Sequence, residues 1–486
     1  MIKLCVNNES IANEAAELCR AFYPAETVDI TGNGKCEEYL FEMTCEWKND
    51  EWHVQLFAEQ KHFALVSERV CQQEQEDVIL YKRRVKNALK KAVYNVLKDL
   101  SGKTLPYGML TGVRPLTLAL RYMSTLEDNN NTEQKTAQFL TSEYDISPKK
   151  AQLLSRTAQV QSTCLPKDDD VSLYIHIPFC ATRCNYCSFP SELMSRAESY
   201  IDSYMDTLEK EVRFIMQNAK GNFEALYVGG GTPTALPERC FERLTALCKE
   251  AVASLKINEF TLEAGRPDTI NVKKLELMKL AGVTRISINP QTMNDKTLEA
   301  IGRRHTSEDI IKTYCLARDM GFDNINMDLI LGLSSETADD ARRTFDKVLE
   351  MAPDGITVHV LARKHASDLN RDGADIFSGM EEMALVGDEY SDVFMKNGYF
   401  PYYLYRQKYM IGGLENVGYC KDGCICRYNI RMMDDNSTCW AAGAGSVSKR
   451  CYSGTTRIER VADPKNSVEY INRIDEFLEK KLQIMK

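Results

Sequence analysis

Between Val171 and about Ala362 the chain keeps one rhythm: a short apolar run rich in β-branched residues, a turn, then a longer stretch with apolar residues at three- and four-residue spacing. The runs are "LYIHIPF" (from 173), "ALYVGGG" (225), "EFTLEAG" (259), "RISINPQ" (285), "NINMDLILGL" (324) and "GITVHVLA" (355). Strands that alternate with helices pair in parallel through right-handed crossovers. Six such units, where a closed barrel has eight, predict an α/β fold built on a partial (β/α)6 TIM-like barrel. Chemistry in such sheets collects on the loops after the strands. The unusual residues fall there: cysteines after the first run, glycines ending the second, Glu263 ending the third, Gln291 ending the fourth, and Asp328 in the fifth.

At 486 residues the chain exceeds one ordinary core. Residues 1–110 read as a separate α+β unit, with consecutive strands across "KCEEYLFEMTCEWKNDEWHVQLFAEQKHFALVSE" and an amphipathic helix in "VKNALKKAVYNVLKDL". Residues 111–170 read as a helical connector and linker, 171–370 as the barrel, and 371–486 as a mainly helical C-terminal domain covering the active site. The net charge of -9 argues against broad nucleic-acid binding, which needs surplus Lys and Arg. The basic run at 82–91 reads as a solvated helix face. No stretch approaches the apolar length of a membrane span, and the amino terminus lacks the pattern of a secretory signal, so a cytoplasmic protein is expected. Seventeen scattered cysteines, an odd count, favour thiols and metal ligands over disulfides.

Cys180, Cys184 and Cys187 form C-x3-C-x2-C after the first strand. Three thiolates on one tight loop suit iron or zinc. Structural zinc closes its tetrahedron with a fourth Cys or His, and no such partner lies nearby in sequence. Three cysteines can instead hold three corners of a [4Fe-4S] cube and leave one iron open. A second group, Cys420, Cys424 and Cys426, is a weaker candidate for an auxiliary cluster or metal. His176 and His305 read as structural histidines.

The cysteine spacing, with an aromatic before the last cysteine, resembles the signature of radical S-adenosylmethionine (SAM) enzymes. "YIHIPFC", "YVGGGTPTAL", "RISINPQTMNDKTLEAIGRRHT" and "NINMDLILGL" resemble the oxygen-independent coproporphyrinogen III oxidase family. "LENVGYC", "CRYNIRMM" and "GAGSVSK" are similar to its HemZ-type branch, which has an extended amino-terminal domain. The resemblance covers roughly residues 105–450. It implies a [4Fe-4S] cluster on Cys180, Cys184 and Cys187, with SAM on the open iron and room in some relatives for a second SAM. It places Tyr174, Gly230, Gly231, Thr232, Glu263, Gln291, Arg303, Asp328 and Ala362 at SAM-contacting positions, with Tyr186 beside the cluster; Tyr174, Gln291 and Arg303 are the expected catalytic contacts. Two local patterns depart from it. Relatives have a proline three positions after the glutamate, whereas "EAGRPD" has Pro267 four positions after Glu263, and "LGLSSET" lacks a proline after "GL".

The activity implied is oxidative decarboxylation of coproporphyrinogen III to protoporphyrinogen IX. An electron donor such as ferredoxin or flavodoxin and an electron acceptor serve as partners. Arg363, Lys364, Arg406 and Lys408 are candidates for binding substrate propionates. The alternative is a haem chaperone, whose pattern carries Phe after the cysteines, as Phe189 does here. The chaperones' H-N-x-x-Y-W element, however, reads Tyr428, Asn429, Ile430, Arg431, Met432 and Met433. Radical methylation of haem with ring opening is a third activity among relatives.

Overall fold

The computed structural model describes the chain except residues 31–38, 60, 74–75, 113, 128–129, 190, 335, 362–379, 407–413, 434–436 and 456. It divides into two compact units, Met1–Arg156 and Thr157–Lys486.

In the first unit, strands Val28–Asp29, Ile2–Val6, Phe41–Lys48, Glu51–Ala58 and Lys61–Val66 form one sheet in that order. Period-two alternation puts Phe41, Met43, Cys45, Trp52, Val54 and Leu56 on one face, against helices Ala12–Phe22 and Val78–Ser101. Asn49 and Asp50 both take positive φ (53° and 62°), which lets a two-residue turn follow the strands' twist. Arg84, Lys86 and Lys90 pair with Glu76 and Glu14 of the same unit. Much of the basic run at 82–91 therefore serves this unit's own charge balance.

In the second unit the six expected runs form six parallel strands: β1 (Asp170–Ile177), β2 (Asn222–Gly230), β3 (Glu259–Glu263), β4 (Arg285–Ser287), β5 (Ile325–Leu331) and β6 (Gly355–Val360). They pair in chain order. Helices alternate with them, including α1 (Ile201–Asn218), α2 (Glu238–Leu255), α3 (Val272–Leu280), α4 (Ser307–Asp319) and α5 (Ala338–Met351). Thr306 and Thr337 begin the last two with reciprocal capping boxes to Asp309 and Asp340, satisfying amide groups that a helix start leaves unpaired.

The C-terminal segment holds more residues in its helices α6 (Met380–Lys396), α7 (Arg427–Met433) and α8 (Ser467–Met485) than in its strands, yet those strands extend the barrel sheet. β7 (Phe400–Tyr405) and β8 (Asn416–Cys420) add antiparallel strands beyond β6. On the opposite edge β9 (Thr438–Ala442) runs parallel to β1, followed by β10 (Val447–Cys451) and β11 (Ile458–Ala462).

Register shows how the barrel's lower end is closed. Cys420 faces Gly355 at the start of β6, and Thr438 faces Val171 at the start of β1. The chain between them, with α7, therefore crosses the floor at the strands' amino ends. Arg431 of α7 pairs with Asp170 of β1 and Glu224 of β2, while Asn429 donates to Tyr402 Oη of β7. Strands so far apart in sheet order reach one short helix only if the sheet curls.

The last helix is fastened from within. Lys481, fully buried, donates to Asp463 Oδ2 (2.8 Å) and the Ala441 carbonyl (2.7 Å) and pairs with Glu211 of α1. Glu211 also accepts from the Gly443 amide (2.8 Å) after β9. Gly443 has φ 105°, and a Cβ there would lie 2.1 Å from the His176 carbonyl oxygen. This anchors the turn beside the first strand's end.

Candidate functional site

β1 runs directly into the cysteine loop. That loop is docked on the turn before α4: Thr182 Oγ1 donates to the Gly302 carbonyl (3.2 Å), and Asn185 donates from Nδ2 to Ala300 O (3.0 Å) and from its amide to Ile301 O (3.3 Å). Thr232 Oγ1 lies 3.7 Å from Cys180 Sγ. The glycine run is shaped to this neighbourhood. A Cβ on Gly231 would stand 2.5 Å from Phe179 O and 3.0 Å from Cys180 Sγ; one on Gly230, at φ 110°, would stand 2.6 Å from the His176 ring; one on Gly229 would stand 2.8 Å from Glu263 Cδ. Backbone alone fits there.

Cys184 is buried while Cys180 and Cys187 are half-buried, and burial pushes the thiols of Cys180 and Cys187 up. Among the described residues no group of three or more His, Cys, Asp or Glu side chains is gathered for one metal ion.

Of the expected contact residues, Glu263 closes β3 and Gln291 and Arg303 follow β4, while Tyr174 and Asp328 lie within β1 and β5. Tyr174 donates to or accepts from His176 Nδ1 (2.9 Å), which gives that histidine a structural partner. Glu263 accepts from Tyr227 Oη (2.6 Å); burial pushes its carboxyl up to about 7, the hydrogen bond from Tyr227 opposes this, and the nearby Asp328 reinforces it. Asp328 accepts from Asn326 Nδ2 (2.7 Å). Arg303 donates to Asn289 O (2.6 Å) and Tyr186 Oη (3.3 Å), which brings it beside the cysteine loop. Gln291 is held at φ 65°, a conformation that costs a non-glycine residue about 1–2 kcal/mol. It is fixed there by its amide on Asp328 O and its carbonyl under the Ile330 amide, both 2.9 Å. Among the described residues, Gln291 Oε1 and Arg303 Nε are buried without a hydrogen-bond partner, as groups made to meet a ligand would be. His305 is buried with Nδ1 3.4 Å from Asp268. Ala362, Arg363, Lys364 and Lys408 lie outside the described residues, and Arg406 is half-buried just past β7.

Other residues join the interior without having been singled out as SAM contacts. Tyr227 and Tyr428 stack at 4.3 Å between ring centroids, with Tyr174 6.0 Å from Tyr428. His359 stands 3.9 Å from Asp328 Oδ2 and 3.5 Å from Tyr405 Oη. Inward alternation along β2 and β6 was the available signal for Tyr227 and His359. The second cysteine group sits at the floor, not the mouth. Cys420 and Cys426 are fully buried among Tyr402, Tyr403, Tyr428 and Ile430.

The model of the radical SAM superfamily matches residues 174–348. The chain is 36% identical over 415 residues to the oxygen-independent coproporphyrinogen-III oxidase-like protein HemZ of Bacillus subtilis, covering 83% of this chain and 81% of that one. It is 34% identical over 192 residues to the haem chaperone HemW of the same organism, covering 39% of this chain and 50% of that one. Its structure resembles coproporphyrinogen III oxidase (HemN) of Escherichia coli with a TM-score of 0.51 and 24% identity, over 66% of this chain and 72% of that chain; this likeness supports the fold. A loop of three thiols, met by the backbone of Gly231 at Cys180 and by Arg303 at Tyr186, has the chemistry to take a cube and a zwitterionic nucleoside. The chain belongs to the radical SAM superfamily, in the HemZ-like group of oxygen-independent coproporphyrinogen-III oxidase-like proteins, whose cofactors are a [4Fe-4S] cluster and SAM.

Proposed function

We propose that the protein catalyses oxygen-independent oxidative decarboxylation of coproporphyrinogen III to protoporphyrinogen IX. The carrying observation is the cysteine loop after β1, met by the backbone of Gly231 at Cys180 and by Arg303 at Tyr186, with Gln291 Oε1 and Arg303 Nε buried and without a hydrogen-bond partner among the described residues. In this reading Cys180, Cys184 and Cys187 hold the cluster; when bound, cluster and SAM supply a 5′-deoxyadenosyl radical through one-electron cleavage of the sulfonium. Gly229, Gly230, Gly231 and Thr232 offer backbone to SAM. Glu263 and Asp328 accept hydroxyl hydrogen bonds, Arg303 faces a carboxylate, and Tyr174, Tyr186 and Gln291 orient the nucleoside. Substrate loses a hydrogen atom from the propionate β-carbon and then carbon dioxide, and passes its last electron to an external acceptor, leaving a vinyl group. A low-potential flavodoxin or ferredoxin supplies electrons to start the reaction. Every described cysteine is a free thiol, in keeping with a reducing cytoplasm, and among the described residues no helix is long and apolar enough to cross a membrane.

A haem chaperone is the second reading, favoured by Phe189, 62% exposed beside the cysteines, and by the likeness to HemW. Against it stands Tyr428 in place of histidine, with its ring packed into the barrel floor. Radical methylation of haem is a third activity on the same cofactors, with no observation in its favour. Anaerobically reconstituted protein incubated with coproporphyrinogen III, SAM, reductant and an electron acceptor is expected to yield protoporphyrinogen by mass spectrometry. Stable haem binding with no decarboxylated product would overturn the oxidase reading.

A further inference from the structure

Arg266 occupies the position after Glu263 where the family pattern expects proline, and it is 3% exposed. Its guanidinium spends its donors in two directions. Nη1 donates to Thr182, at Oγ1 (2.5 Å) and the carbonyl (3.2 Å), while Nε and Nη2 form a fork on Asp268 (3.0 and 2.9 Å). Thr182 lies midway between Cys180 and Cys184, so the arginine grips the cysteine loop at its centre. A proline in that place has no side-chain donor. Asp268 in turn lies 3.4 Å from His305 Nδ1. Against a partial desolvation that raises it, the neighbouring His305 and the Arg266 fork hold its carboxyl well below the usual carboxylate range. It therefore stays charged.

We propose that Arg266, buried, and Asp268, partly open to solvent, form an ion pair that positions the cluster loop and tunes the cluster's reduction potential with opposing charges. The inference rests on the reading that Cys180, Cys184 and Cys187 carry a [4Fe-4S] cluster. One-electron reduction by a low-potential donor takes the cluster from the 2+ to the 1+ state and adds one negative charge to a partly dry site. A fixed cation close by favours the reduced state and a fixed anion disfavours it. Arg266 is a positioning residue here, since its contact with the cysteine loop is made at Thr182 while its charge acts on the loop across space.

The test compares wild type with Arg266→Gln, Asp268→Asn, the double variant and Arg266→Lys. Each is reconstituted anaerobically, counted for iron, and titrated with redox mediators while the reduced cluster is followed by electron paramagnetic resonance. Arg266→Gln should shift the midpoint to more negative potential, Asp268→Asn to more positive potential, and the double variant back toward wild type. Arg266→Lys keeps the charge and should lie nearer wild type than Arg266→Gln does. Singles that shift the same way, or not at all, while all proteins bind iron would overturn the inference. Iron loss from an Arg266→Gln protein that still folds, judged by circular dichroism, supports the grip on the loop. Asp268→Asn then carries the electrostatic test, because it leaves the bonds to Thr182 in place. Wild type that binds no iron defeats the cluster reading itself, a result distinct from a cluster that forms but ignores the pair.

Discussion

Cys180, Cys184 and Cys187 share almost the same spacing as Cys420, Cys424 and Cys426, and the two groups lie at opposite ends of one barrel. At the mouth the thiols face glycine backbone and polar atoms with unused hydrogen-bonding capacity. At the floor Cys426 contacts Thr261 and Glu259 while Glu259 caps α7 through the amides of Arg427 and Tyr428. Burial pushes the Cys426 thiol up to about 12, so the thiolate a metal needs is disfavoured. Spacing nominates ligands; the surroundings decide whether thiols bind or merely pack.

The widest separation is expected from paired alanine variants. Cys184→Ala should lose the cluster, with SAM cleavage falling to background, whereas Cys424→Ala should keep full iron content; iron analysis and 5′-deoxyadenosine yield measure both. Two loop glycines give the next contrast. Gly230→Ala forces a Cβ into the His176 ring at positive φ and should cost about 3 kcal/mol, while Gly423→Ala, at φ 76° with nothing within 4 Å, should cost about 1 kcal/mol, read by urea unfolding. Cys426→Ser buries a hydroxyl in a tyrosine-lined core and should destabilise by about 1–2 kcal/mol without changing iron content.

The smallest effect concerns acids at the two ends, which should respond to pH with opposite sign. Glu263 has a raised folded-state pKa, so wild type loses stability relative to Glu263→Gln as pH climbs from the ordinary carboxylate range through about 7. Asp170 at the floor is buried, yet Asn222, the Lys167 amide and Arg431 lower its pKa; its contribution is present above the ordinary range and disappears as pH falls through the folded value. Urea titrations of Glu263→Gln and Asp170→Asn across pH should give difference curves that diverge in opposite directions. Parallel curves would remove the electrostatic distinction between mouth and floor.

Much of the barrel was legible because it is local. Each βα unit declares itself within a few tens of residues, and the glycines and cysteines mark strand ends directly. The C-terminal strands were harder, since β8 and β9 acquire their meaning only by pairing with β6 and β1, and "YFPYYLY" gives no sign of which edge it joins. α7 as a floor is invisible for the same reason: Arg431 finds Asp170 and Glu224 far away in sequence. Resemblance supplied the candidate ligands Tyr174, Gln291, Arg303 and Asp328. Arg266 was marked in sequence only indirectly, by the displaced Pro267 beside it, and Tyr227 opened the motif "YVGGGTPTAL" without being singled out.

The backbone of Gln291 is stitched to β5 on both sides, to Asp328 O and to the Ile330 amide. Two prospective nucleoside contacts from different strands are thus welded into a single rigid jaw. A shift of the backbone at one of them is therefore transmitted to the other, whereas each side chain can still be exchanged by itself.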